Sequence, residues 1–113
     1  MQKAIEQGSK IKEAKARRIL GRVYQAQGLP DQAKTELQAS LSLVKSGERR
    51  YELGRTLVSL ADLYFADTRR IKDGMEMIQQ CIAIFQELGA ALDLANAQVL
   101  RQRYELIMRG WTE

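Results

Sequence analysis

The 113-residue chain contains no histidine and one cysteine, Cys81. Without an imidazole, the commonest general base and nitrogen metal ligand is missing, and a Ser-His-Asp or Cys-His relay is excluded. A lone cysteine can neither close an intrachain disulfide nor build a thiolate metal cluster. No phosphate-cradling loop of the GxxxxGK(S/T) type occurs. Asp62 with Asp67, and Glu48 with Glu52, could be paired as acid and base. On a chain with 14 acidic and 18 basic residues, such pairs at helical spacing read as solvated surface. Catalysis, a cofactor and a metal centre are therefore not expected. What remains is recognition. Lys15, Arg18, Arg22 and Gln25 fall at i, i+3, i+7 and i+10, one stripe of a helix. Forty residues on stand Arg55, Val58, Asp62 and Phe65. Such a stripe is either a solvated face or one wall of a binding surface.

The elements that must position these residues are helices. One proline and little β-branched alternation favour them, and 45% hydrophobic with 28% charged residues is the composition of one folded domain. The formal charge of +4 favours acidic partners. Met1 to Lys10 is polar, without a signal-peptide core, and no apolar run reaches membrane-spanning length. The expectation is a cytoplasmic chain with no membrane contact.

Five helical segments follow from the pattern. The first runs from about Lys10 to Gln27 with Ala16, Leu20, Val23 and Tyr24 on one stripe, and Gly28 ends it. Pro30 opens the second, which carries Ala33, Leu37, Leu41 and Val44. After a break at Ser46-Gly47, the third carries Leu53, Leu57, Leu60 and Tyr64. A turn at Asp67 to Arg70 leads to the fourth, with Ile71, Met75, Ile78, Ile82 and Phe85, ended by Gly89. The fifth spans about Ala91 to Arg109, and residues 1–9 read as the tail of a preceding helix that stops at Gly8.

The segments repeat. Leu20-Gly21 with Tyr24 recurs forty residues later as Leu60-Ala61 with Tyr64. Ala33, Leu37, Ser40, Leu41 and Val44 recur as Gly74, Ile78, Cys81, Ile82 and Phe85. The small members mark close helix approach, which also explains helical glycines that each cost about 1 kcal/mol. Ser40 as its repeat partner makes Cys81 a small packed residue rather than a reactive thiol. A period of this length indicates stacked helix pairs, with units at 10–47 and 48–89 and a partial unit or capping helix at 90–113.

These residues resemble the tetratricopeptide repeat: Leu20, Gly21, Tyr24, Ala33, Leu37 and Ser40, and again Leu60, Ala61, Tyr64, Gly74, Ile78 and Cys81. The chain departs from that family in its period of 40–41 rather than about 34, in Arg17 at a large apolar position, and in the missing closing proline. The resemblance implies an all-α, right-handed stack of antiparallel helix pairs whose first helices line a concave groove. Lys15, Arg18, Arg22, Gln25, Arg55, Val58, Asp62 and Phe65 would then form a groove basic at one end and partly apolar at the other, suited to an acidic peptide with one bulky anchor. Arg22 and Ser59 stand where the family's chaperone-tail clamp needs asparagines, which disfavours that activity. The phrasing of Gly47 to Leu63 and Leu88 to Ala97 is similar to arrays in large bacterial signalling proteins. The expected function is a protein- or peptide-binding scaffold. A structural spacer that self-associates through exposed ends is one alternative. A helical-repeat nucleic-acid binder is another, disfavoured because Arg69, Arg70, Arg101 and Arg103 scatter over several faces.

Overall fold

The computed structural model describes residues 2–45 and 49–112, with side chains described within 8–45, 49–67 and 69–110. The fold is all-α: α1 (Gln2–Ala26), α2 (Pro30–Val44), α3 (Arg50–Tyr64), a 3-10 turn (Thr68–Arg70), α4 (Ile71–Leu88) and α5 (Ala91–Thr112), with no strand among the described residues. The expected break at Ser46-Gly47, and Glu48, lie outside the described residues.

The ends of the helices follow their sequence signals. Gly28 takes φ 75°, so the chain turns back and Leu29 N donates to Tyr24 O at 2.9 Å. Pro30 then occupies the first turn of α2. Gly89 repeats the device at φ 67°, with Ala90 N donating to Phe85 O at 2.9 Å. The Asp67 carboxylate accepts from Arg69 N at 3.0 Å and starts the 3-10 turn into α4. Gly8, in contrast, ends nothing. α1 is continuous from Gln2, so residues 2–9 extend the first helix instead of closing an earlier one. One glycine costs a helix only about 1 kcal/mol, and no neighbouring proline or left-handed residue reinforces a stop there.

Contacts fix the directions. Gly21 lies against Ala33 and Leu37, and Ser40 donates to Ala14 O, so α1 and α2 run antiparallel. Pairs from α1 to α3 (Arg18–Glu52, Arg22–Asp62) and from α3 to α5 (Tyr51–Asp93, Tyr104–Ala61) rise together, so α1, α3 and α5 are parallel. The small repeat members Gly21, Ala61, Ala33, Gly74, Ser40 and Cys81 are all buried at helix contacts. A Cβ on Gly21 would stand 2.7 Å from Leu37 Cγ, and one on Gly54 2.7 Å from Phe85 Cε1. The space at Gly74 is filled by the Tyr104 ring.

The main core joins α3, α4 and α5 through Leu57, Ala61, Ile71, Ile78, Cys81, Ile82, Phe85, Leu100 and Tyr104. A second cluster joins α2 to α3 through Ala33, Leu37, Leu60, Leu63 and Tyr64. Met75 and Met77 are half-buried against these clusters. Burial pushes the Cys81 thiol up to about 12, and its Sγ donates to Ile78 O at 3.2 Å. Leu100 and Tyr104, forty residues after Leu60 and Tyr64, are buried as those are. Arg101, at the small-residue position, is half-exposed and pairs with Glu105 at 3.6 Å.

The stripe Ala16, Leu20, Val23 and Tyr24 departs from expectation. Ala16, Leu20 and Val23 are exposed and Tyr24 is half-buried. Leu20 is 38% exposed, whereas Leu60 is fully covered. α2 covers the equivalent face of α3, where Leu60 and Tyr64 cluster with Ala33 and Leu37, and no described helix covers Leu20 in that way. The buried face of α1 instead carries Ala14, Arg18 and Gly21.

Candidate protein-binding groove

The basic stripe of α1 faces acidic residues on α3. Arg18 donates to Glu52 at 2.5 Å with both side chains buried, and Lys15 lies 3.7 Å from the same carboxylate. Arg22 is 3.6 Å from Asp62, and Gln25 Nε2 donates to Asp62 at 3.1 Å. Four of the expected groove residues on α1 thus cross-link two parallel helices. A buried pair of this kind sets register, because removing one partner leaves an uncompensated buried charge.

Beside this seam, α1, α3 and α5 enclose an open groove of about 970 Å³. From the expected set it is lined by Arg18, Arg22, Arg55, Val58 and Asp62. Lys15 and Gln25 do not line it. Neither does Phe65, whose ring packs edge-on against Tyr104 at 5.4 Å between centroids. The aromatic anchor position is therefore spent on the α3–α5 contact. Ile19 and Val23 of α1, and Leu92, Asp93, Val99 and Arg103 of α5, complete the walls.

The character of the groove comes from these additions. Ile19 is 60% and Leu92 77% exposed, and Val23 and Val99 are exposed as well. Exposed apolar side chains gathered on one concave surface mark interaction sites, whereas scattered ones do not. Arg55 holds its guanidinium 5.8 Å over the Tyr51 ring and donates to the Tyr51 hydroxyl at 3.1 Å. That hydroxyl donates on to Asp93 at 3.0 Å. The hydrogen bond to Tyr51 raises the already high pKa of Arg55, so it is a permanent cation. Neither Arg55 nor Arg103 has a carboxylate in ion-pair range among the described residues, unlike Arg18 and Arg22.

No protein-family model matches the chain, and neither does any curated protein or solved structure.

Reading the sequence missed the contribution of α5. The signal was present: Leu92 and Val99 lie seven apart, off the buried stripe of Ala97, Leu100 and Tyr104. No group of three or more potential metal ligands occurs among the described residues. None of their helices is long and apolar enough to cross a membrane.

Proposed function

We propose that the chain is a tetratricopeptide-like interaction scaffold whose groove between α1, α3 and α5 binds an acidic peptide segment bearing a bulky apolar anchor. One observation carries this reading. Exposed Ile19, Val23, Leu92 and Val99 converge on the same groove as Arg55 and Arg103, two cations with no carboxylate in ion-pair range among the described residues. Apolar contact would supply affinity, and the two arginines would fix the orientation of a carboxylate-bearing chain. The repeated residues, the parallel first helices and the buried small positions support the tetratricopeptide reading. The phrasing of Gly47 to Leu63 and Leu88 to Ala97, similar to arrays in large bacterial signalling proteins, supports a scaffold that is part of a larger cytoplasmic regulatory protein.

Affinity capture from nuclease-treated cytosol of the source organism tests this. The comparison is wild type against an Arg55→Glu/Arg103→Glu variant, which leaves the Arg18–Glu52 pair intact. A protein retained by wild type and lost by the still-helical variant is the expected result. Equal capture by both would move binding off this groove. Capture of nucleic acid in untreated extract, falling steeply with salt, would favour the nucleic-acid reading instead.

A further inference from the structure

Arg55 of α3 and Asp93 of α5 both line the groove, and one hydroxyl stands between them. Tyr51 and Arg55 lie one turn apart on α3, and Asp93 sits in the first turn of α5. Arg55 Nη1 donates to the Tyr51 hydroxyl at 3.1 Å, and that hydroxyl donates to Asp93 Oδ2 at 3.0 Å. A phenol has one proton, and here the carboxylate takes it, leaving the oxygen lone pairs for the arginine. Cation and anion thus share one oxygen without coming into ion-pair range of each other. The Tyr51 ring is anchored, tilted against fully buried Phe85 at 6.2 Å between centroids. The Arg55 guanidinium lies over the same ring, 5.8 Å from its centroid. Its Nε and Nη2 hydrogens bond nothing among the described residues. They form a planar edge of the kind that takes a carboxylate through two parallel hydrogen bonds.

Resting on the groove reading above, we infer that Tyr51 is a positioning residue for recognition. Its hydroxyl keeps Arg55 off Asp93 and so holds the Nε–Nη2 edge of Arg55 for a carboxylate side chain of the bound peptide. Without the hydroxyl, Arg55 loses an acceptor, Asp93 loses a donor, and nothing neutral separates the two charges. They would then pair, and the α5 carboxylate would take the place of the ligand's. Arg22 and Asp62 show that alternative in the same groove, in direct ion-pair contact at 3.6 Å. Arg22 is committed to a carboxylate of its own chain, whereas Tyr51 leaves Arg55 uncommitted.

A structure and a double-mutant cycle on the full chain test this. Tyr51→Phe keeps the ring against Phe85, and its crystal structure should show Arg55 and Asp93 in direct contact, within about 4 Å. Binding is read from amide spectra of the isotope-labelled chain, with acetyl-Trp-Asp-Glu-Asp amide as the probe. Tyr51→Phe should weaken binding about tenfold, as expected for one charge-assisted contact. Asp93→Asn should then raise affinity in the Tyr51→Phe background by more than it does in wild type, where the hydroxyl already separates the pair. Equal gains in the two backgrounds would reflect general relief of repulsion and overturn the inference. A Tyr51→Phe structure with Arg55 still clear of Asp93 would overturn it too. A probe that shifts neither Val58 nor Val99 of wild type at about 1 mM would tell against the groove reading, and with it the ligand half of the inference. The contact in the Tyr51→Phe structure is read without any probe, so the two failures are distinct.

Discussion

The two helix pairs share one pattern of residues and are held together by different chemistry. In the first pair Arg17 reaches Glu36 at 3.1 Å, where its counterpart Leu57 is buried in the apolar core. Ser40 spans α1 and α3 through hydrogen bonds to Ala14 O and Thr56, whereas its counterpart Cys81 bonds only within α4. Ala14 and Val44 occupy the positions that Gly54 and Phe85 take in the second pair, where loss of a methyl on α3 admits an aromatic ring from α4. The first junction thus adds buried polar contacts and an ion pair to its packing, whereas the second rests on packing, with a single exposed ion pair, Arg50–Glu87 at 2.8 Å, at its rim. Polar contacts fix direction at little net gain in stability, while apolar burial contributes stability with less directional demand.

This contrast can be broken experimentally. The largest expected effect is Phe85→Ala, which should cost about 3–5 kcal/mol in urea unfolding, because the ring is fully buried at the centre of the apolar junction. Arg18→Ala should cost about 3 kcal/mol by leaving Glu52 buried, with Lys15 supplying only partial compensation. Adding Glu52→Gln should restore much of that loss, and failure to rescue would mean that the pair is not what holds α1 to α3. Gly21→Leu and Ala61→Leu test close approach in the two pairs and should each cost about 1–3 kcal/mol. Ser40→Ala should cost about 1 kcal/mol, more than Cys81→Ala, since only the serine joins separate helices by hydrogen bonds.

The dry junction also has a pH signature. Burial raises the Cys81 thiol from 9.0 to about 12. The unfolded chain therefore releases this proton first, and the contribution to stability is lost as pH climbs from about 9 towards 12. Cys81→Ala should make the fall in thermal stability shallower across that range, with the remainder above about pH 10 coming from the buried Tyr104 phenol, which burial also raises. Thiol reagents at pH 8 should modify Cys81 only as fast as the protein opens.

Much of the fold was legible because the helices repeat and their ends carry strong signals. Gly28, Pro30 and Gly89 specify turns through local backbone geometry, and Leu60, Tyr64, Ile78 and Phe85 lie on the buried faces that their periodicity demands. Periodicity reports that a face is apolar, however, and not whether anything covers it. Leu20 and Leu60 look alike in sequence and differ in exposure because only α3 has a preceding helix packed on it. The α1 cations were harder to read, since their carboxylate partners lie on other helices: Glu52 is 34 positions from Arg18, and Asp62 pairs with Arg22. Arg55, Val58 and Asp62, which the family resemblance put on a concave face, lie along the groove between α1, α3 and α5. Phe65 does not, because an aromatic ring near the end of α3 meets Tyr104 before it meets solvent.

The central claim is that one groove, lined by parallel helices, receives the partner. Site-specific photo-crosslinking tests it most directly, with a benzophenone side chain replacing Val58, Val99 or the exposed Ala83 on α4 outside the groove. Positions 58 and 99 should trap the same protein, and position 83 none of it. Crosslinking confined to position 83, or none from 58 and 99 while the partner is still captured, would contradict it.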